Sequence, residues 1–175
     1  MKLLFTMDKK NYKEDGDVFS RPSVRAIIIH DNKIAMVYSK KYDYFKFPGG
    51  GIEKEESQIE ALVREVKEET GLIVKKDTIK EYGYVIRKER GDHTDIFLQE
   101  NYYYLCDVEN KVLNQHLEDY ELEEGFCLRW VLPSEAINTN LNHDHHNFYD
   151  LNILARDNKI LEIVRDSKVI DSFFN

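Results

Sequence analysis

Three glutamates in the middle of the chain, Glu65, Glu68 and Glu69, have a spacing that suits joint chemistry. On a helix, positions i, i+3 and i+4 share one face, so the three carboxylates would emerge together. Like charges so placed repel one another, and a hard divalent cation removes that repulsion because Mg²⁺ and Mn²⁺ prefer oxygen ligands. Mg²⁺ also accepts phosphate oxygens, so the pattern indicates phosphate chemistry.

A helix over residues 58–70 is predicted to carry these glutamates. Ser57 is a good N-cap, Glu60 completes a capping box, and Gly71 suits the left-handed residue that ends a helix. Apolar side chains recur at helical spacing and would face the core: Ile59, Leu62, Val63 and Val66. This stripe lies roughly 120° from the glutamate face. The helix can therefore be half buried and still present carboxylates to a cleft.

The turn from Pro48 to Gly51 precedes this helix and contains three consecutive glycines. Glycine has no Cβ, so the backbone there can approach a ligand or metal closely. An acidic helix face is by itself also compatible with a solvated surface, since the chain has 33 acidic residues. A wider match is needed to distinguish the two interpretations.

The wider pattern resembles the Nudix box, G-x5-E-x7-R-E-U-x-E-E-x-G-U, in which U is a bulky aliphatic residue. The matching residues are Gly50, Glu56, Arg64, Glu65, Val66, Glu68, Glu69, Gly71 and Leu72. Phe47, Pro48 and Gly49 also resemble the family's lead-in. Position 55 is Glu, where many members have glycine, a departure that concerns loop shape. By strand order, the resemblance extends over most of residues 21–135.

The resemblance implies an α/β/α sandwich with a mixed central sheet. We expect one such domain over residues 21–175, with a C-terminal helix, preceded by a strand and loop extension over residues 1–20. The implied metal ligands are the carboxylates of Glu65, Glu68 and Glu69 and the carbonyl of Gly49 or Gly50. The resemblance also implies an ion pair between Glu56 and Arg64 that fixes the loop against the helix.

The implied activity is Mg²⁺-dependent hydrolysis, with Mn²⁺ as a possible substitute, of the diphosphate bond in a nucleoside di- or triphosphate derivative. The metal would neutralise the diphosphate and acidify a water, and a carboxylate would accept the proton. Arg64, Glu65 and Glu68 are the implied catalytic residues of the box, and the base stands at the position of Glu65 in the best-known members. In others it lies on a later loop, for which the acidic stretch over residues 118–124 offers Glu123 or Glu124.

Further substrate contacts are less specific. Arg25 and Lys40 could hold phosphates and Tyr44 could stack on a base, although surface lysines and packed tyrosines are common. Position 88 is Lys, where the ADP-ribose type has a proline, and residues 88–90 lack the tyrosine of the dinucleoside-polyphosphate type. We therefore expect a nucleoside triphosphate or a generic nucleoside diphosphate derivative.

Two other functions remain open for this family. One is a non-catalytic nucleotide-sensing domain, although the box here is intact. The other is an isoprenoid-diphosphate isomerase, whose chemistry needs a cysteine and a glutamate facing each other across the pocket. Cys106 or Cys127 would have to be that cysteine.

The remaining elements are expected to position the acidic helix. Strands are predicted at Leu3–Thr6, Val24–Ile29, Lys33–Tyr38, Tyr44–Phe47, Ile73–Val74, Ile79–Ile86, Ile96–Val108 and Cys127–Leu132. Asp31 and Asn32 would form a hairpin turn. A short helix should begin at Pro133, and a C-terminal helix over residues 146–166 should be broken near Asp157. The histidine cluster at His143, His145 and His146 is interpreted as a polar loop.

Composition narrows the class of partner. The net charge of -8 opposes binding to nucleic acid or to an anionic membrane, while a metal ion can still attract a small anionic substrate. The N-terminus lacks the apolar stretch of a signal peptide, and both cysteines lie in apolar runs. We therefore expect a cytoplasmic monomer or homodimer with reduced thiols. If the three glutamates serve metal binding alone, glutamine at position 68 or 69 should not destabilise the metal-free protein.

Overall fold

The computed structural model describes residues 1–145, 148 and 150–167. Its strands are β1 (Leu3–Asp8), β2 (Val18–Ser20), β3 (Ser23–Ile27), β4 (Ile29–His30), β5 (Lys33–Ser39), β6 (Tyr44–Lys46), β7 (Leu72–Val74), β8 (Lys80–Glu89), β9 (Ile96–Leu105), β10 (Val108–Val112) and β11 (Cys127–Val131). Its α-helices are α1 (Gln58–Thr70), α2 (Asp119–Glu124), α3 (Pro133–Asn142) and α4 (Leu151–Asp166).

Strand β9 is central to a five-stranded mixed sheet. It pairs antiparallel with β8 and parallel with β3 and β2, and β8 pairs parallel with β1. In a second, antiparallel sheet, β5 pairs with β4, β6 and β11. A short antiparallel pair joins β7 and β10. The mixed central sheet is thus the one that the sequence predicts.

The two sides of strand β3 belong to different cores, because successive residues of a strand face opposite sides. Val24 and Ala26 pack in one cluster with Leu62 of α1. Ile27 packs in the other cluster with Ile160 of α4. Helix α1 therefore covers one side of the sheets while α3 and α4 cover the other, and the predicted α/β/α sandwich is confirmed.

Local signals in the sequence also predict the ends of α1 and the first hairpin correctly. The helix spans residues 58–70, with the capping box between Ser57 and Glu60 and with Gly71 in the left-handed region at φ 75°. Asp31 and Asn32 have φ of 49° and 61°, as a tight two-residue hairpin turn requires, and they connect β4 to β5.

The N-terminal segment is more integrated than the expected strand and loop. β1 pairs with β8, and β2, which the sequence pattern did not predict, pairs with β9. Residues 1–20 therefore add two strands to the mixed sheet that contains β3. They extend the sheet of the domain rather than lying apart from it.

The C-terminal helix differs from its prediction. It begins at Leu151 and is continuous through Asp157, so the predicted break is wrong. Asp157 is fully buried and accepts hydrogen bonds from the backbone N–H of Phe47 at 3.0 Å, the Nε of Arg156 at 2.8 Å and the hydroxyl of Tyr103 at 3.2 Å. The charged residue inside the helix is a buried partner of the sheet, which a pattern of apolar spacing does not reveal.

Other features follow the sequence interpretation in part. His143 Nδ1 lies 2.6 Å from Asp43 Oδ2, and the ring of His145 contacts the carbonyl oxygens of Tyr42 and Asp43, so both histidines tie their loop to the turn before β6. His146 lies outside the described residues. Cys106 is buried, Cys127 is half-buried, and both are free thiols. In the part of the chain described, none of the helices has the length and apolar character needed to cross a membrane.

We predict that Asp157→Ala lowers the free energy of unfolding by about 3–5 kcal/mol, because it leaves the buried Arg156 guanidinium without its carboxylate. Asp166→Ala is the matched control in the same helix, since Asp166 pairs with Arg165 at the exposed end of α4. Urea unfolding should show no measurable loss for the control. Equal midpoints for the two variants would contradict the structural role assigned to Asp157.

Candidate active site

The glycine turn is docked on strand β3. The backbone N–H of Val24 donates to the carbonyl of Gly50 at 3.0 Å, and that of Ala26 donates to the carbonyl of Pro48 at 2.8 Å. Gly49 has a φ of 137°, and a Cβ there would stand 2.1 Å from the carbonyl oxygen of Val24. A side chain is therefore excluded where the turn crosses the strand.

Glu69 connects α1 to this turn. Its side chain is buried, it forms an ion pair with Lys46 at 2.5 Å, and it accepts a hydrogen bond from the N–H of Gly49 at 2.7 Å. Burial raises the pKa of Glu69, while the charge of Lys46 opposes that rise. Two of its contacts are thus with the protein itself, so this carboxylate has a structural role in addition to any role in binding metal.

Arg64 organises the other carboxylates of the box. Its Nε and Nη2 each donate to Glu56 at 2.8 Å, and Nη2 also donates to the carbonyl of Gly51 at 3.1 Å. Its Nη1 donates to Glu65 at 2.8 Å and to Glu68 at 3.1 Å. The structure therefore contains the expected Glu56–Arg64 pair, and the same guanidinium holds the two glutamates that face the cleft.

The donor set fits a hard cation. Burial raises the pKa of Glu65, and the neighbouring charge of Glu69 raises it further, while Arg64 opposes the rise. A cation at Glu65 would relieve both costs of keeping that carboxylate ionised. Gly50 contributes room, because a Cβ on it would lie 2.4 Å from Glu65 Oε2. The carbonyl of the turn can thus approach the same ion as the carboxylate.

The ligand set is not preassembled, however. Within residues 1–145, 148 and 150–167, no three His, Cys, Asp or Glu side chains are grouped so that they could hold a metal ion. Arg64 engages Glu65 and Glu68, and Lys46 engages Glu69. Binding of an ion would therefore require Glu65 and Glu68 to exchange their contacts with Arg64 for contacts with metal.

A second group of carboxylates comes from α2. The acidic stretch is a short helix rather than a loop, and Glu118, Glu121 and Glu124 recur every three residues and line the cleft. Glu124 Oε2 accepts hydrogen bonds from Ser39 Oγ at 3.0 Å and from the hydroxyl of Tyr44 at 2.9 Å.

Glu123 lies outside the residues that line the cleft, is exposed, and pairs with Lys41 at 2.5 Å. Of the two candidates from this stretch, only Glu124 is therefore placed to act in the cleft. Sequence reasoning missed Glu118 and Glu121. Their spacing with Glu124 was the available signal, because residues three apart share one face of a helix.

The cleft has a volume of about 370 Å³ and also contains cations. Arg21, Arg25, Lys46, Arg87 and Arg156 line it, together with aromatic side chains that include Tyr44, Phe97, Phe126 and Phe148. Of the residues proposed to bind substrate, Arg25 and Tyr44 lie in this lining. Lys40 does not; its exposed side chain lies beside Gly125. Four cations of the lining were not predicted, since isolated basic residues give no pattern: Arg21, Lys46, Arg87 and Arg156.

We predict that the metal-free Glu69→Gln variant loses roughly 1–3 kcal/mol of unfolding free energy, because buried Lys46 loses its ionic partner. Glu68→Gln, one residue earlier, should melt at the parent temperature or slightly above it, since the side chain is 39% exposed and Arg64 keeps Glu56 and Glu65. Thermal melts in excess chelator would measure both. The structure thus revises the expectation that the two positions behave alike.

If Glu69→Gln melts at the parent temperature under the same conditions, the contacts of this carboxylate with Lys46 and Gly49 do not stabilise the fold.

Comparison with known proteins agrees with this geometry. The family model of the NUDIX domain matches residues 19–151. The ADP-ribose pyrophosphatase of Methanocaldococcus jannaschii is 38% identical over 96 residues, which are 51% of this chain and 54% of that protein. Nudix hydrolase 2 of Arabidopsis thaliana is 25% identical over 134 residues, 73% of this chain and 46% of that protein. The chain spans about half the length of these relatives.

Solved structures share the fold. The mutator MutT protein from Bacillus halodurans superposes with a TM-score of 0.61 at 20% identity, covering 84% of this chain and 83% of its own. The NUDIX hydrolase from Nitrosomonas europaea superposes with a TM-score of 0.55 at 20% identity, covering 81% and 90%. Because the family model spans most of the chain and includes the glycine turn, Arg64 and the three glutamates of α1, the chain belongs to the Nudix family.

Proposed function

We propose that the protein is a Mg²⁺-dependent hydrolase that cleaves the diphosphate bond of a nucleoside di- or triphosphate derivative. The observation that carries the proposal is the placement of the box glutamates in one cleft with buried arginines. Carboxylates suit a divalent ion, and arginines suit the phosphate oxygens that such an ion also binds. A nucleoside diphosphate derivative that carries its divalent ion would therefore offer the ion to the carboxylates and phosphate oxygens to the arginines.

The relatives support the reaction class more than any one substrate. One is named for ADP-ribose and another, from Nitratiruptor sp., is an RNA pyrophosphohydrolase, 41% identical over 76 residues. Both names describe cleavage at a pyrophosphate. A cavity of about 370 Å³ and a net charge of -8 favour a small nucleotide over a polyanionic chain.

The residues have separable tasks. Glu65, Glu68 and Glu69, with the carbonyl of Gly49 or Gly50, would hold the ion. When bound, Mg²⁺ would neutralise charge on the diphosphate and make water a better nucleophile at neutral pH. Arg64 keeps Glu65 and Glu68 beside the cleft.

Glu124 is the carboxylate that we assign to proton acceptance. Ser39 and Tyr44 donate to its Oε2, which fixes the orientation of the group. Among the described residues, no hydrogen bond engages Oε1, so that oxygen can accept the proton of a water. Glu65 is the alternative base that the family resemblance implies.

We predict release of phosphate or pyrophosphate from at least one nucleotide in a panel of nucleoside triphosphates, ADP-ribose and a 5′-triphosphorylated RNA, with Mg²⁺ or Mn²⁺ present. Excess chelator should abolish turnover, and Glu68→Gln should lower it and reduce the gain in melting temperature on adding Mg²⁺. Full activity in chelator would refute the metal mechanism. Binding without turnover would favour the sensing domain, and conversion of isopentenyl diphosphate would favour the isomerase.

We also predict that Glu124→Gln lowers kcat at least about tenfold, the usual scale of general-base effects, with little change in fold because glutamine keeps the shape. Glu123→Gln is the matched control on the same helix turn, and its exposed side chain should leave kcat near the parent value. Steady-state kinetics on the best substrate of the panel would measure both. Parent-like turnover in Glu124→Gln would transfer the base role to Glu65.

A further inference from the structure

A buried polar network lies beneath the cleft, between strands β3 and β9 and helix α4. Ser23 Oγ donates to Asn101 Oδ1 at 2.7 Å, and Arg156 Nη1 donates to the same oxygen at 2.7 Å. Arg156 Nε donates to Asp157, which also accepts from Tyr103. Arg156 is only 1% exposed and still belongs to the lining of the cleft. Its partners therefore fix a guanidinium at the bottom of the cavity.

Two nitrogen atoms of this region are buried without a partner. Arg156 Nη2 and Arg25 Nε have no hydrogen bond, and they are the only buried side-chain nitrogen or oxygen atoms in that condition among the described residues. Arg25 is 7% exposed, lines the same cleft, and donates only from Nη1 to its neighbour's carbonyl oxygen at 3.2 Å. An unpartnered buried N–H of a cation is costly, so both atoms require an acceptor.

Local charge points to an anionic acceptor. Burial lowers the pKa of Arg25, and the nearby charge of Arg156 lowers it further, although Asp157 and Glu69 oppose this. Asp157 is the ionic partner of Arg156, Glu69 is paired with Lys46, and Glu65 is paired with Arg64. Within the residues described, no carboxylate forms an ion pair with Arg25. Arg25 is therefore a buried cation of the cleft lining that has no ion-pair partner among the described residues.

We propose that Arg25 and Arg156 form a phosphoryl-binding subsite on the floor of the cleft, which holds a phosphate of the substrate without the help of metal. The proposal rests on the proposed function for the identity of the ligand, a diphosphate. Planar guanidinium groups suit phosphate oxygens, and the two unpartnered N–H groups would each gain a charge-assisted hydrogen bond. Arg156 lies beyond residue 151, where the match to the family model ends.

The test is a calorimetric titration of the full chain with inorganic pyrophosphate, in excess EDTA and at constant ionic strength. We expect saturable binding by the parent and at least about tenfold weaker binding by Arg25→Gln, because one cationic donor is lost. Arg129→Gln is the control, since Arg129 is exposed on β11 and lies outside the lining of the cleft. It should bind like the parent. Orthophosphate should bind more weakly than pyrophosphate, as expected for a subsite that holds a substrate diphosphate.

Stability separates binding from a structural role. Because Arg25 has no ion pair to lose among the described residues, ligand-free Arg25→Gln should melt at the parent temperature or above it. An arginine that supports the fold would lower that temperature when it is replaced. Arg156→Lys keeps the charge but not the planar donor group, and the folded variant should also bind pyrophosphate more weakly than the parent. If Arg156→Lys does not fold, Arg25→Gln alone tests the subsite.

Several results would overturn the subsite: no saturable pyrophosphate binding by the parent, parent-like binding by Arg25→Gln, equal weakening by Arg129→Gln, or tighter binding of orthophosphate than of pyrophosphate. Failure of the hydrolase proposal would look different, with pyrophosphate bound in EDTA but no nucleotide hydrolysed in Mg²⁺. If hydrolysis is sensitive to chelator but Arg25→Gln binds pyrophosphate like the parent, the hydrolase proposal stands and the subsite proposal is wrong.

Discussion

The contact between Glu69 and the glycine turn is the constraint on which the rest of the site depends. A buried carboxylate is tolerated only when it is paired and hydrogen-bonded, and Glu69 meets that condition through Lys46 and the N–H of Gly49. Lys46 ends β6, Gly49 crosses β3, and Glu69 lies in the last turn of α1. One side chain thus sets the distance between helix, turn and sheet.

The other two carboxylates of α1 are progressively less buried than Glu69. Glu65 is half-buried and shares Arg64 with Glu68, which is more exposed. Arg64 is itself fixed by two hydrogen bonds to Glu56 and one to the backbone of the turn. A single guanidinium therefore compensates the repulsion among carboxylates in the ligand-free protein. The same contacts hold the acidic side chains near the cleft, where a cation of higher charge can replace them.

Helix α4 contains a buried positive charge, Arg156, and the carboxylate that neutralises it, Asp157. Asp157 offsets Arg156 and binds the backbone of Phe47, so the helix is fastened to the strand that leads into the glycine turn. In the part of the chain that the structure describes, Arg25 has no equivalent partner, and burial of a cation on these terms is costly. An unsatisfied buried group in a native protein calls for an explanation, and a bound ion is one such explanation. The cleft is thus built from two kinds of unfavourable burial, one acidic and one basic, that a metal ion and a diphosphate would relieve together.

Sequence alone was sufficient for features encoded by neighbouring residues. The capping box at Ser57, the left-handed Gly71 and the apolar stripe are local signals, so the bounds of α1 and the common face of its glutamates were predictable. The turn at Asp31 and Asn32 was predictable for the same reason. The spacing of the box residues, which lie in a single turn and helix, also carried the resemblance to the family, and the layered fold was what that resemblance implied.

Only the tertiary structure decided which distant side chains meet. Glu123 and Glu124 are adjacent in sequence, yet one is exposed with Lys41 and the other is buried with Ser39 and Tyr44. Arg25 and Arg156 are more than a hundred residues apart, and no local pattern relates them. Asp157 interrupts the apolar spacing of α4 and so suggested a break in the helix. Its charge is in fact buried and stabilised by Phe47, Tyr103 and Arg156, and sequence spacing does not record contacts with the first two. Local propensity determines elements, whereas pairing of buried charges depends on how the layers pack.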